Sequence, residues 1–105
     1  EAATAAKKPT AAELKAKKDS GEELFIIDCR EQSEYDAVNM GAKLIPLGQI
    51  ANGEIDEIED WKDKEVIIHC HSGMRSMQAC MMLEHMGFAK TFNLTGGILA
   101  WGQYA

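Results

Sequence analysis

Two short apolar runs place the strongest constraint on how this chain can fold. Residues 24–27, Leu-Phe-Ile-Ile, and residues 66–68, Val-Ile-Ile, are apolar at every position. A strand with one face in solvent alternates apolar and polar residues, whereas a strand in the middle of a parallel sheet is apolar on both faces. The two runs therefore predict two buried central strands of a parallel sheet.

Helical signals surround these runs. Thr10 and Glu13 have the spacing of a capping box, which predicts a helix that ends at about Asp19. Apolar residues recur on one helical face between Ser76 and Met86. The remaining predicted elements are a short helix at 33–38, strands at 43–45 and 91–93, an acidic segment with helical spacing at 53–60, and a short helix after the glycine pair at 96–97. Strands that alternate with helices predict an α/β layered fold with a mainly parallel sheet flanked by helices.

Length and charge narrow the classes of function. The 105 residues suit one domain, predicted to span residues 10–105 after a flexible tail at 1–9. The net charge of -6 and the presence of only two arginines, Arg30 and Arg75, argue against a nucleic-acid partner, which needs clustered basic side chains. No apolar run approaches the roughly 20 residues that span a bilayer, so no membrane association is expected.

The three cysteines, Cys29, Cys70 and Cys80, cannot all pair with one another. This odd number favours a reducing compartment, and the cytoplasm is the expected location. Because the chain begins with Glu1 rather than Met, the periplasm after removal of a signal peptide is the alternative.

Cys70 has the sequence surroundings of a reactive thiol. It comes just after the second apolar run and shortly before a predicted helix. Ligands of open α/β sheets bind at the carboxyl ends of strands, and unpaired N–H groups at a helix start stabilise a thiolate. Ser72 and Gly73 keep the intervening loop small, and Arg75 at its end offers a positive charge to an anion. The alternative interpretation is that Cys70 is a small buried apolar residue without chemistry.

The segment 69–76, His-Cys-His-Ser-Gly-Met-Arg-Ser, resembles the active-site loop of rhodaneses, in which a cysteine opens a six-residue loop that ends in arginine. Three further segments are similar to rhodanese motifs in the same order. They are Asp-Cys-Arg-Glu at 28–31, the segment from Glu34-Tyr35 to Ile45-Pro46, and Gly-Gly-Ile-Leu-Ala-Trp at 96–101. The chain departs from the family at 38–40, where Val-Asn-Met stands in place of the usual Gly-His-Ile.

The resemblance implies a three-layer rhodanese-like fold and a sulfurtransferase. Cys70 would attack the outer sulfur of a donor such as thiosulfate, carry that sulfur as a persulfide and yield it to a thiophilic acceptor. The residues of the active-site loop that would bind the donor are His71, Ser72, Gly73, Met74, Arg75 and Ser76. The resemblance implies no metal and no organic cofactor. The expected partners are a small anionic sulfur donor and a persulfide-donor or sulfur-acceptor protein.

Other chemically able side chains have structural interpretations. Asp28 and Arg30 are expected to form ion pairs or hydrogen bonds that hold loops near the site. Cys29 and Cys80 are expected to be buried packing residues, although the sequence leaves open that either one acts as a resolving thiol. The methionines at positions 74, 77, 81, 82 and 86 are expected to serve mainly in packing, with Met74 as a candidate for the rim of the pocket.

Two other functions remain open on the sequence. Cysteine-dependent phosphatases also close a cysteine loop with an arginine, but five residues separate the two there, whereas four separate Cys70 from Arg75. The segment 45–50, Ile-Pro-Leu-Gly-Gln-Ile, is similar to rhodanese domains attached to adenylyltransferases that load sulfur-carrier proteins. A sulfur-relay module that serves a partner protein is therefore the main alternative, and a phosphatase is the weaker one.

Overall fold

The computed structural model describes residues 9–102. Its strands are β1 (Phe25–Asp28), β2 (Lys43–Leu44), β3 (Glu65–His69) and β4 (Lys90–Asn93). Its helices are α1 (Ala11–Asp19), α2 (Gln32–Ala37), α3 (Leu47–Ala51), α4 (Met74–His85) and α5 (Gly97–Trp101), with a 3₁₀ helix at Asp56–Trp61. Of the predicted tail at 1–9, residues 1–8 lie outside the described residues. Pro9 is described, and its carbonyl accepts a hydrogen bond from the Thr95 N–H (2.9 Å).

Four parallel strands form the described sheet, in the order β2-β1-β3-β4. β1 and β3 are the central strands, and they carry the two continuous apolar runs. Asp28, the last residue of β1, is in register with His69, the last residue of β3. The two central strands therefore end side by side at the same edge of the sheet, and the predicted parallel sheet is confirmed.

Successive residues of the central strands point to opposite faces of the sheet and fill two separate cores. Ile27 and Ile68 belong to the first core, which α3, the 3₁₀ helix and α4 cover. Ile26 and Ile67 belong to the second core, which α1 and α5 cover. Helices on both faces of one sheet make three layers, as predicted, and burial on both faces explains why the runs do not alternate.

The capping box predicted before α1 is present. Thr10 Oγ1 accepts a hydrogen bond from the Glu13 N–H (3.2 Å), and the Glu13 carboxylate accepts one from the Thr10 N–H (3.0 Å). Leu14, in the next position, is fully buried in the second core. The cap thus fixes the start of the helix that brings Leu14 onto the sheet.

The boundaries of α4 differ from those predicted. The helix begins at Met74 rather than at Ser76, and it ends at His85 rather than at Met86. Gly73 precedes it with a φ of 119°, a backbone conformation that glycine adopts without strain. The earlier start places Arg75 in the first turn of the helix.

The sequence pattern does not predict α3. This helix has five residues, and Ile50 is its one buried residue. A single buried position offers no apolar period from which a helix could be recognised.

The expectation that the methionines of α4 serve mainly in packing is wrong for Met77 and Met81, and Met74 is exposed as expected of a residue at the rim of the site. Met74, Met77 and Met81 are 67%, 44% and 57% exposed. They lie opposite the buried stripe of the helix, while Met82 and Met86 pack partly against the first core. A helix on one face of a sheet buries one stripe, so its other side stays in solvent.

With 12 residues, α4 is the longest helix in 9–102, where no helix is long and apolar enough to cross a membrane.

Candidate active site

Cys29 and Cys70 lie side by side at the carboxyl edge of the sheet. Each follows the last residue of its strand, and the Cys29 N–H donates a hydrogen bond to the His69 carbonyl (3.0 Å), which continues the pairing of β1 with β3. Both side chains are buried in the first core, with Ile27 and Ile68. The edge at which ligands of parallel sheets bind therefore carries two neighbouring thiols.

The Cys70 sulfur is surrounded by hydrogen-bond donors. The Gly73 N–H donates to Cys70 Sγ (3.1 Å), Ser76 Oγ lies 3.4 Å from it, and the Cys29 thiol follows the neighbouring strand at the same level of the sheet. These contacts, the Cys29 thiol first among them, lower the pKa of Cys70 to about 4, although burial acts to raise it. Cys70 is therefore a thiolate near neutral pH. Since only 1% of the residue is exposed, the sulfur lies at the floor of the loop 70–75, called here the Cys70 loop.

Ser76 connects Cys70 to β4. Its hydroxyl lies within hydrogen-bond distance of both Cys70 Sγ and the amide oxygen of Asn93. A hydroxyl has one proton, so Ser76 donates to one of these two atoms at a time. The Asn93 amide nitrogen in turn donates to the Gly73 carbonyl (3.1 Å). Through Asn93, the last residue of β4, the neighbouring strand positions both groups that contact the sulfur.

The N-terminal turn of α5 supports the backbone of the Cys70 loop. The N–H groups of Ile98 and Leu99 donate to the carbonyls of Cys70 (2.9 Å) and His71 (3.2 Å). A Cβ atom at Gly97 would lie 2.5 Å from the Cys70 carbonyl oxygen and 2.6 Å from that of His71, so a larger residue would displace the loop. This close contact explains why the motif at 96–101 begins with glycines.

Arg75 pairs with Glu34 at the rim of the Cys70 loop. Arg75 Nη1 and Nη2 donate to the two carboxylate oxygens of Glu34 at 2.8 and 2.9 Å. The hydrogen bonds from Arg75, together with one from the Glu31 N–H, lower the pKa of Glu34 to about 2. The pair therefore persists over the whole physiological pH range, and an approaching anion meets an arginine that a carboxylate already holds.

Asp28 and Arg30 form a buried ion pair behind the site. Arg30 Nη2 lies 2.7 Å from Asp28 Oδ2, and both side chains are almost fully buried. Arg30 also donates to the carbonyls of Glu34 (3.4 Å) and Val38 (2.7 Å), in α2 and just after it. The pair thus ties the end of β1 to α2, the helix whose Glu34 holds Arg75.

His69 is buried beside the same ion pair. Its Nδ1 lies 3.3 Å from the Cys70 carbonyl oxygen, and its Nε2 lies 3.6 Å from Asp28 Oδ2, with no hydrogen-bond partner for Nε2 among residues 9–102. Burial lowers the pKa of His69, so the ring is neutral near pH 7. Because side chains alternate along a strand, His69 points to the face of the sheet opposite to the Cys70 sulfur.

The other predicted loop residues fall in three surroundings. Ser76 is buried, Gly73 and Arg75 are half-buried, and His71, Ser72 and Met74 are exposed. Cys80 is buried in the first core, where burial raises its pKa to about 11. The expectation that Cys80 is a packing residue is confirmed.

Across residues 9–102, no three His, Cys, Asp or Glu side chains are grouped so that they could share a metal ion.

Two residues of the site are absent from the sequence-based prediction. Glu34 holds Arg75, and Asn93 holds Ser76 and Gly73. Asn93 does carry a positional signal, because it ends a predicted strand at the edge where Cys70 lies. Glu34 carries one only as part of the Glu-Tyr pair of the similar segment, and nothing local indicates its partner.

The fold and this site together define a class of protein. It is a three-layer α/β domain in which a cysteine thiolate lies in a loop of N–H donors between a central parallel strand and a helix. The chain belongs to the Rhodanese-like domain family, whose sequence model matches residues 10–104.

Two relatives and one solved structure illustrate the match. The chain is 42% identical over 98 residues to "Putative sulfurtransferase YtwF" of Bacillus subtilis, covering 90% of this chain and 89% of YtwF. It is 37% identical over 107 residues to "Probable adenylyltransferase/sulfurtransferase MoeZ" of Mycobacterium tuberculosis, covering 98% of this chain and 27% of MoeZ. A crystal structure of a rhodanese-like domain protein from Staphylococcus aureus is similar with a TM-score of 0.81 at 32% identity, over 91% of each chain. Both relatives are named as sulfurtransferases, and the resemblance to rhodaneses is confirmed.

Proposed function

We propose that this chain is a sulfurtransferase that moves sulfane sulfur from a donor such as thiosulfate to a thiophilic acceptor, through a persulfide on Cys70. The observation that carries the proposal is the pair of hydrogen-bonding groups at Cys70 Sγ, the Gly73 N–H and the Ser76 hydroxyl. They keep the sulfur as a nucleophilic thiolate, and similar contacts stabilise the negative charge of a persulfide. The names of the two relatives support the same type of activity.

The proposed reaction has two half-reactions. In the first, the Cys70 thiolate attacks the outer sulfur of thiosulfate, the bond between the two sulfur atoms of thiosulfate breaks, and sulfite leaves with the electron pair. In the second, a nucleophilic acceptor attacks the outer sulfur of the persulfide, and the Cys70 thiolate is restored. The Gly73 N–H and the Ser76 hydroxyl hold the sulfur in place in both steps.

The exposed side of α4 favours a protein as the acceptor or as a second donor. Met74, Met77 and Met81 form an exposed apolar stripe that begins within the Cys70 loop. Flexible methionine side chains suit surfaces that adapt to a protein partner. The name of MoeZ combines an adenylyltransferase with a sulfurtransferase, and this chain spans about a quarter of MoeZ. A sulfur-relay module that serves a sulfur-carrier protein is therefore the second candidate function.

The Cys70 loop argues against a phosphatase. The Gly73 N–H donates its hydrogen bond to the sulfur itself. With four residues between Cys70 and Arg75, the loop is also small for a tetrahedral phosphate. We expect no hydrolysis of an aryl phosphate.

Thiosulfate loading tests the proposed function. The protein is incubated with thiosulfate, its intact mass is measured, and the modified peptide is mapped. We expect the gain of one sulfur atom on Cys70, its removal by cyanide, no gain in Cys70→Ser, and the same gain in the matched variant Cys80→Ser. Protein that stays unmodified both with thiosulfate and with a persulfide-loaded donor protein would rule the proposal out.

A further inference from the structure

Cys29 has the position of a disulfide partner for Cys70. The two thiols follow neighbouring hydrogen-bonded strands and face the same core. Neighbouring strands of a sheet lie about 4.7–4.9 Å apart. Disulfides join Cα atoms about 4.4–6.8 Å apart, so the spacing of two adjacent strands lies within that range.

The two thiols differ in reactivity and in access. The Cys70 sulfur beside it and burial both raise the pKa of Cys29, so Cys29 is a neutral thiol next to the Cys70 thiolate. Both thiols are buried, with 0% of Cys29 and 1% of Cys70 exposed, but Cys70 opens the loop whose His71 and Ser72 are exposed. Oxidation follows thiolate character and access, so a small oxidant from solvent reacts at Cys70 first.

We propose that Cys29 is a resolving thiol, which closes a reversible disulfide with Cys70 when a hydroperoxide oxidises Cys70. In the first step the Cys70 thiolate attacks a peroxide oxygen. The S–O bond forms, the O–O bond breaks, and the leaving oxygen takes the electron pair, which leaves Cys70 as a sulfenic acid. In the second step Cys29 Sγ attacks Cys70 Sγ. The S–S bond forms, the S–O bond breaks, and the leaving hydroxide takes the Cys29 proton as water.

The disulfide stops sulfur transfer and protects the nucleophile. It consumes the Cys70 thiolate, and a dithiol reductant restores both thiols by two exchange steps, in which the dithiol is oxidised. It also halts oxidation at a reversible stage, because thiols do not reduce the sulfinic and sulfonic acids that form otherwise.

Peroxide treatment of the wild-type protein tests this inference. The intact mass is measured at increasing hydrogen peroxide, and the peptides are mapped without reduction. We expect a loss of two hydrogen atoms, a cross-linked peptide that joins Cys29 to Cys70, and recovery of the mass with a dithiol. Cys80→Ser serves as the matched control, since Cys80 is similarly buried but lies in α4 rather than after a central strand, and it should behave as wild type. Wild-type protein that gains oxygen atoms on Cys70 without the cross-link would overturn the proposal.

The variant Cys29→Ala provides a second test of the proposed disulfide. At the peroxide level that cross-links wild type, it should gain two or three oxygen atoms on Cys70, which a dithiol does not remove. Oxidation of Cys70 in this variant that a dithiol fully reverses would contradict the proposal. The wild-type cross-link is decisive even if Cys29→Ala does not fold. Because no sulfur donor is added, the result is also independent of thiosulfate loading.

Discussion

The two arginines of this chain form ion pairs in opposite surroundings. Arg30 and its partner Asp28 are 2% and 0% exposed, whereas Arg75 and its partner Glu34 are 34% and 33% exposed. The shortest contact of each pair is similar, at 2.7 and 2.8 Å. Away from water, a charge that loses its partner is costly, while near the surface water replaces the lost partner. Ion pairs of similar geometry therefore contribute differently to stability when one is buried and the other is half-exposed.

The two ion pairs are also connected to each other through α2. Arg30 holds the backbone of α2 through the carbonyls of Glu34 and Val38, and the Glu34 side chain on that helix holds Arg75. The buried pair thus positions α2, and α2 in turn positions Glu34, which holds Arg75 at the rim of the Cys70 loop. Loss of the first pair should disturb the second, whereas loss of the second should leave the first intact.

Arg30→Ala has the largest expected effect. It leaves the Asp28 carboxylate buried without its main partner, and breaking a buried ion pair in this way costs about 3–5 kcal/mol. Urea unfolding of wild type and variant measures the loss in the free energy of unfolding. A loss within the 0–1 kcal/mol typical of exposed pairs would show that burial does not distinguish the two arginines.

Replacing both buried partners sharpens the comparison. Asp28→Leu combined with Arg30→Met removes both charges and keeps much of the volume, a change that is often close to neutral in buried pairs. The double variant should therefore be more stable than Arg30→Ala in the same urea titration. Equal instability of the two would assign the loss to the hydrogen bonds between Arg30 and α2 rather than to the unpaired charge.

Gly97→Ala disturbs a buried support of the Cys70 loop that carries no charge. The new Cβ would lie 2.5 Å from the Cys70 carbonyl oxygen, on a residue with a φ of +57°. Such overpacking typically costs about 1–3 kcal/mol, and the loop should also lose much of its thiosulfate loading. Gly48→Ala is the matched control, because a Cβ there meets nothing within 4 Å and Gly48 lies in a helix. Normal loading of Gly97→Ala would show that the loop tolerates the displacement.

Local signals explain which features the sequence predicts. The apolar runs of β1 and β3 and the capping box of α1 depend on neighbouring residues, and they are visible without the fold. The Cys70 loop is visible as a motif for the same reason. The pairing of Glu34 with Arg75 joins positions 41 residues apart, and that of Asn93 with Gly73 joins positions 20 apart. Such contacts follow from the strand order, which no local pattern encodes. The contact of Cys29 with Cys70 likewise needs the register of β1 against β3.

Ser76→Ala tests how the buried hydroxyl uses its proton. If Ser76 donates to the Cys70 thiolate, its loss should raise the pKa of Cys70 from about 4 by about one unit, since a hydrogen bond to a charged group contributes roughly 1.5–3 kcal/mol and other donors remain. The rate of Cys70 alkylation by iodoacetamide against pH gives the midpoint, measured in a Cys80→Ser background. Ser20→Ala, at the end of α1, should keep the wild-type midpoint. An unchanged midpoint in Ser76→Ala would assign the proton to Asn93 instead.

Glu34→Gln has the smallest expected effect on stability. A half-exposed ion pair contributes about 0–1 kcal/mol after screening by solvent. Because the pKa of Glu34 is lowered to about 2, the contribution is complete above the ordinary carboxyl pKa of about 4.3 and disappears as the pH falls through about 2. Urea unfolding at pH 7 should show a small difference from wild type, which shrinks with added salt and as the pH approaches 2. A loss at pH 7 as large as that of Arg30→Ala would mean that the rim pair supports the fold as firmly as the buried pair. Exposure would then not decide what these two ion pairs contribute.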